Sequence, residues 1–234
     1  MPVGMIINVL ALLIGGLLGG VLGKRISPDL KNSLNNIFGF CAIAIGISLV
    51  VKMNALSAVV LAVVLGTILG EVLKIEDRLN GLVSKTAAKM LKGKNVDGAF
   101  VNTFCAVSII FCCSGTGWYG VLTEGFSGDA SILLTKSILD FFTAIIFAAV
   151  LGNMVASLSV PQMIIYVVLF SVSRLMLPLV SDTMLADFSA VGGVIELATG
   201  MRIAGIKKDT KVVNVVPAMI LIFPISALWG MLIG

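Results

Sequence analysis

An all-α bundle of transmembrane helices is the fold class this chain predicts, on three observations. Of its 234 residues, 59% are hydrophobic and only 12% charged, against roughly 45–50% and about 25% in soluble domains. The apolar residues come in continuous runs near crossing length, about 17–25 residues, without the alternation of barrel strands. The basic residues gather between those runs. Read this way, residues 1–234 form one transmembrane domain. Spans one to three lie in 1–73, a basic cytoplasmic segment in 74–97, and spans four to eight in 98–234.

Span one is Gly4–Gly23, with Gly15, Gly16, Gly19, Gly20 and Gly23 in overlapping small-xxx-small pairs that allow close helix approach. No basic segment precedes it, so it reads as a retained span and not as a cleaved signal. Asn8, its only polar side chain, is expected to bond to a neighbouring helix or to touch a ligand. Lys24, Arg25 and Lys31 follow, and Ser27-Pro28 is a helix-start signal. Spans two and three are Ile37–Val51 and Leu56–Leu73. The segment Lys74–Asn95 carries Lys74, Arg78, Lys85, Lys89, Lys92 and Lys94, with apolar residues near helical spacing. It reads as an amphipathic surface helix or a solvated loop, its charge suited to anionic lipid head groups.

Span four, Gly98–Cys113, meets Ser114-Gly115-Thr116-Gly117-Trp118-Tyr119-Gly120. That stretch reads either as a broken or re-entrant helix lining a cavity, or as an interfacial turn with Trp118 and Tyr119 in the aromatic belt. The linker that follows carries Glu124 and Asp129. Span five, Ser131–Gly152, holds Lys136 and Asp140 four residues apart, on one helix face. Span six is Pro161–Val180 with Arg174, span seven Ala186–Gly205 with Gly192-Gly193, Glu196 and Arg202, and span eight Val212–Gly234 with Asn214, Pro217 and Pro224. Links after spans one, three and seven are basic, whereas those after spans four and six carry Glu124, Asp129, Asp182 and Asp187. Eight spans put every basic link on one side, and the positive-inside rule makes that side cytoplasmic, with both termini outside.

Gly39 and Gly46 echo Gly193 and Gly200 at a spacing of seven, and Gly4 and Asn8 echo Gly98 and Asn102. Each echo joins spans of opposite direction, the pattern of an inverted repeat with a site near the midplane.

Several chemistries are excluded. There is no histidine, so imidazole ligation and Ser–His–Asp or Cys–His catalysis are absent. Cys41, Cys105, Cys112 and Cys113 lie in apolar runs, and the adjacent pair has the wrong spacing for zinc. They read as packing residues. No nucleophile motif stands out, so an enzyme is not expected, and nucleic acid is not an expected partner.

The candidate ion- or substrate-binding residues are Asp140, Glu196, Lys136, Arg174 and Asn214. An ionised residue mid-span costs at least about 3 kcal/mol unless compensated. Asp140 therefore either pairs with Lys136 or Arg174, or serves as a Na⁺ or H⁺ site. Glu196 follows a glycine pair; a helix loosened at Gly192-Gly193 would free carbonyls beside it, and otherwise it pairs with Arg174 or Arg202. Arg174 is expected to neutralise a buried acid or to bind an anionic substrate. Pro217 predicts a kink with Asn214 at its edge.

The stretches GMIINVLALLIGGLLGG, LGTILGEVLKIED, FCCSG…GVLTEGFSGD with LLTKSILD, AVGG at Ala190–Gly193 and NVVPA at Asn214–Ala218 resemble an uncharacterised bacterial membrane-protein family, domain of unknown function 554. The resemblance covers nearly the whole chain. It implies a sodium channel or pump of the bacterial inner membrane, with Lys136, Asp140, Asn214 and Pro217 on the family's recurrent positions. The chain departs from that pattern at Ser114–Gly117, where a GAM-like stretch is expected, and at Glu196, where an apolar residue is usual. The expected activity is thus transport of Na⁺ or H⁺, with no cofactor beyond a bound Na⁺ and a homodimer in the lipid bilayer. The alternatives are a non-transporting membrane scaffold or regulator, and a carrier of small anionic solutes through Arg174.

Overall fold

The computed structural model of the chain describes residues 2–22, 27–90, 98–207 and 209–233. Lys24, Arg25, Lys92, Lys94, Asn95 and Lys208 lie outside them, as do the side chains of Lys31, Lys89 and Asn102. Everything regular in the described residues is helical: α1 (Val3–Leu22), α2 (Pro28–Val50), α3 (Leu56–Leu73), α4 (Ile75–Met90), α5 (Gly98–Cys112), α6 (Gly115–Ser127), α7 (Ser131–Leu151), α8 (Ser159–Met176), α9 (Asp182–Ile203) and α10 (Ala218–Ile233). Short 3₁₀ turns occupy Gly152–Met154, Ala156–Leu158, Leu177–Leu179 and Val212–Val215. Eight stretches are long and apolar enough to cross a membrane, and α5 with α6 supplies one of them, Thr103–Ser127. Many large aliphatic side chains stay exposed, Leu175, Met231 and Leu232 among them, as they must when lipid is the surrounding solvent.

The spans lie near their expected places; α9 starts at Asp182 instead of Ala186 and α10 at Ala218 instead of Val212, and three further differences bear on the fold. The α2 helix starts at Pro28 instead of Ile37, because the Ser27 hydroxyl accepts the Leu30 N–H at 3.3 Å and caps its polar first turns. Residues 75–90 form helix α4 and not a loop. The "linker" before α7 is itself helix α6, closed by Gly128 in the left-handed region at φ 78°.

The chain divides into two compact units, each drawn from two separate stretches. Unit 1 comprises Met1–Asn32 and Asp77–Leu175. Its axis is the pair α1 and α7, which run parallel. Gly4 faces Ala130 and Leu133, Gly15 faces Phe141 and Ala144, and Gly19 faces Ile145 and Ala148. A methyl at Gly15 would stand 2.5 Å from the Phe141 carbonyl oxygen, so only hydrogen permits this approach. A core of Leu12, Phe104, Val107, Phe111, Ala144 and Val155 packs around the pair.

Unit 2 comprises Ser33–Glu76 and Met176–Gly234. There α2 and α9 run antiparallel, Gly39 against Gly200 and Gly46 against Gly193. The spacing of seven shared by these glycines is that of one self-complementary contact. The α9 helix runs unbroken through Gly192-Gly193, because those glycines serve packing and free no carbonyls. The α3 helix meets α10 and the 3₁₀ turn before it, with Gly66 on Ala218 and Gly70 on the Asn214 backbone.

Candidate functional site

The helix break between α5 and α6 builds the site in unit 1. Ser114 is extended (φ −66°, ψ 128°), and its hydroxyl accepts the Gly117 N–H at 3.5 Å, starting α6. Ending α5 in apolar surroundings leaves carbonyls that need donors. Gln162 Nε2 on α8 donates to the Phe111 carbonyl at 3.1 Å, and Trp118 Nε1 donates to that of Cys112 at 3.0 Å. Trp118, half-buried, and Tyr119, buried, both lie at the start of α6, just past the helix break.

Facing the break, midway along α7, lie Lys136 and Asp140, only 4% and 5% exposed. Lys136 Nζ donates to both Asp140 oxygens at 2.6 Å. Asn8 Nδ2 on α1 adds a third donor to Asp140 Oδ2 at 3.0 Å. The Asn8 carbonyl oxygen in turn accepts from the Tyr166 hydroxyl at 3.1 Å and from Gln162 Nε2 at 3.2 Å. Four helices, α1, α5, α7 and α8, therefore converge on one buried polar network. Gly117 of α6 closes it: its missing side chain leaves room for the Tyr166 hydroxyl and for Lys136 Cε.

One atom of the network is left over. Gln162 Oε1 is fully buried and has no hydrogen-bond partner among the described residues. The amide cannot be turned to cure this, because its nitrogen is held by three acceptors: Phe111 O, Asn8 Oδ1 and the Tyr166 oxygen. A buried carbonyl without a donor costs about 1–3 kcal/mol. It calls for a donor or a cation. Among the described residues no three carboxylate or thiol side chains converge. A cation here would rest on one carboxylate and neutral oxygens, ligands that suit a hard ion.

The other predicted residues fall elsewhere. Arg174 is exposed in the last turn of α8 and donates to the Gly125 carbonyl at 3.3 Å. It caps α6 and is not the buried neutraliser expected from sequence. In unit 2, Glu196 is buried on α9, but Arg202 reaches Glu76 at 3.0 Å instead. Asn214 lies in the 3₁₀ turn ahead of Pro217 and accepts the Glu76 N–H at 2.8 Å. It locks the start of α4, while its own Nδ2 finds no partner among the described residues.

Sequence reasoning missed four residues. Gln162 and Tyr166 complete the network; their only signal was a pair of polar groups four apart in an apolar helix. Glu124 and Asp187, read as link charges, are buried in α6 and α9. Glu124 accepts the Gly4 and Met5 N–H groups at 2.7 and 3.0 Å. Asp187 accepts those of Asn54 and Ala55 at 2.8 and 2.7 Å, and the Ser226 hydroxyl at 2.6 Å. Each carboxylate closes the amino end of another helix, where backbone donors and the helix dipole favour an anion.

The sequence model of the family described as "Protein of unknown function (DUF554)" matches residues 3–227. The chain belongs to this family. It is 45% identical over 231 residues to the uncharacterized protein YqgA of Escherichia coli (strain K12), covering 98% of each chain. It is 25% identical over 222 residues to the uncharacterized membrane protein YdfK of Bacillus subtilis (strain 168), covering 93% of each. No solved structure matches. The site described above thus lies within the region shared with a named membrane protein, and the chain is a multi-pass membrane protein.

Proposed function

We propose that the chain moves a small cation, Na⁺ or H⁺, across the bacterial inner membrane through the network at the α5–α6 break, with Asp140 as its ligand. The observation that carries this reading is Gln162 Oε1, buried and unpartnered among the described residues, in a network joined through Asn8 to the Asp140 carboxylate at an interrupted helix. Interrupted helices with carbonyls turned inward are how membrane carriers build cation sites. The basic links set the cytoplasmic side, with both termini outside. No reaction chemistry is assigned, and a homodimer packed through lipid-facing surfaces accompanies the proposal.

Protein reconstituted into liposomes should take up ²²Na⁺ or acidify under an imposed gradient. Asp140→Asn should lower that flux at least tenfold while the protein still folds. Undiminished flux in Asp140→Asn would remove Asp140 from the pathway.

A second reading is a scaffold or regulator without transport. It is favoured by the two 2.6 Å contacts that engage both Asp140 oxygens with Lys136. Wild-type liposomes impermeable to both ions, with Asp140→Asn markedly less stable, would support it. Anion carriage on Arg174 gains nothing from the geometry, since that guanidinium sits at an exposed helix end.

A further inference from the structure

We infer that the Thr123 hydroxyl is a second contact for the cation, and that the ion reaches Asp140 from the Ser127 end of α6, along its seam with α7. This rests on the cation reading of the Asp140 site and names its entrance.

Thr123 is only 7% exposed, yet its Oγ1 has no hydrogen-bond partner among the described residues. Other buried hydroxyls turn back on their own chain. Ser108 donates to the Phe104 carbonyl at 2.7 Å, Ser137 to that of Leu133 at 2.6 Å, and Ser159 to that of Ala156 at 2.8 Å. Such a bond satisfies a hydroxyl inside an apolar bundle. Thr123 forgoes it, although a buried polar group left unpaired is destabilising. Its lone pairs stay available, and oxygen is the ligand hard cations take.

The place of Thr123 on α6 gives the direction. At about 100° per residue, Thr116, Gly120, Thr123 and Ser127 fall within about 60° of one another. That face is turned to α7, since a methyl on Gly120 would meet Leu133 and Ile132. Arg174 engages α6 elsewhere: Gly125, whose carbonyl it bonds, packs on Ser173 of α8, on the side away from Thr123. The inner end of α6 is the Asp140 network, where Gly117 stands against Lys136 Cε. Thr123 lies about 9 Å further along the helix by its rise, and Ser127 beyond it is exposed. Between Gly117 and Thr123, the fully buried Leu133 packs on Gly120, so this side chain must rotate for an ion to pass. From Asn95 to Thr135 the sequence has no Lys or Arg, whereas Glu124 and Asp129 flank Ser127, a balance that draws cations. The basic links make the Ser127 end the outer one.

The test compares liposomes holding full-length wild type, Thr123→Val, Thr123→Ser and Thr135→Val, the last removing an exposed hydroxyl of α7. Uptake of ²²Na⁺ and dye-reported H⁺ uptake are measured at subsaturating ion, with thermal melting in detergent alongside. Thr123→Val keeps the shape and removes an unpaired polar atom, so it should melt at or above the wild-type temperature. It should nevertheless carry the ion about tenfold more slowly, while Thr123→Ser and Thr135→Val stay within about twofold of wild type. In spheroplasts, a membrane-impermeant cationic thiol reagent added outside should block Thr123→Cys and spare wild type. Wild-type flux in Thr123→Val would overturn the inference and leave Asp140 in place. Melting of Thr123→Val below wild type would also overturn it, because the hydroxyl would then be a structural bond. Block of Thr123→Cys only in inverted vesicles would overturn the entrance. Wild-type liposomes impermeable to both ions would instead overturn the proposed function itself.

Discussion

At the scale of single residues, the site depends on what is absent at Gly117. A methyl there would overlap the Tyr166 hydroxyl and come within 3.0 Å of Lys136 Cε. Relieving that overlap means shifting a fully buried tyrosine or the α6 helix, so Gly117→Ala should cost about 1–3 kcal/mol. Its thermal melting in detergent, set against the exposed Gly81→Ala control, checks this. Asp140, Lys136 and Asn8 were legible in the sequence because a polar group inside an apolar run must be compensated. The partner that completes their network was not. Gln162 is an ordinary amide in an ordinary span until α8 is packed against the broken end of α5. Arg174 misled for the converse reason: its place in the chain looked internal, yet it lies in the last helical turn, where an arginine reaches water and a terminal carbonyl together.

Among the elements, the amino end of α1 is the clearest case of one helix finished by another. Glu124 on α6 takes two of its N–H groups. Hydrogen bonds to a charged group contribute about 1.5–3 kcal/mol each. Glu124→Ala should therefore destabilise the protein by about 3–6 kcal/mol, and Glu124→Gln by roughly half that, since an amide oxygen still accepts. Denaturant unfolding of the solubilised protein measures both, and a neutral Glu124→Ala would mean that water or lipid head groups cap the helix equally well. Helix existence was readable from apolar length alone, and the Ser27 cap from its proline neighbour. What length could not show is whether Ser114–Gly120 bends outward or restarts a helix. That was decided by Gln162 and Trp118 taking the carbonyls at the end of α5. Likewise the matching glycine spacings of α2 and α9, read as an echo of an inverted repeat, meet as two sides of one contact.

For the whole molecule, eight stretches are long and apolar enough to cross a membrane, and an even number of crossings would put both termini on one side. Reporter domains fused to either end should give the same compartment, and the positive-inside rule predicts the outer one. Opposite results from the two fusions would remove or add a span. The span count was legible because the bilayer sets helix length. The interleaving of the chain, residues 33–76 lying between the two stretches of unit 1, was not legible. Association within lipid follows from shape at small residues and not from hydrophobicity, and shape does not appear in a hydropathy pattern.

The Glu124 contact also has a history during synthesis. Glu124 lies 120 positions after Gly4. At about 5–20 residues per second the interval between them is roughly 6–24 s. Through that interval the first helix waits at the ribosome's exit with its leading amides held by solvent, while segments of the other unit are delivered ahead of its true partner. The nascent protein is therefore in most need of a membrane chaperone before its midpoint, and a stall placed just after Glu124 has emerged should shorten that dependence.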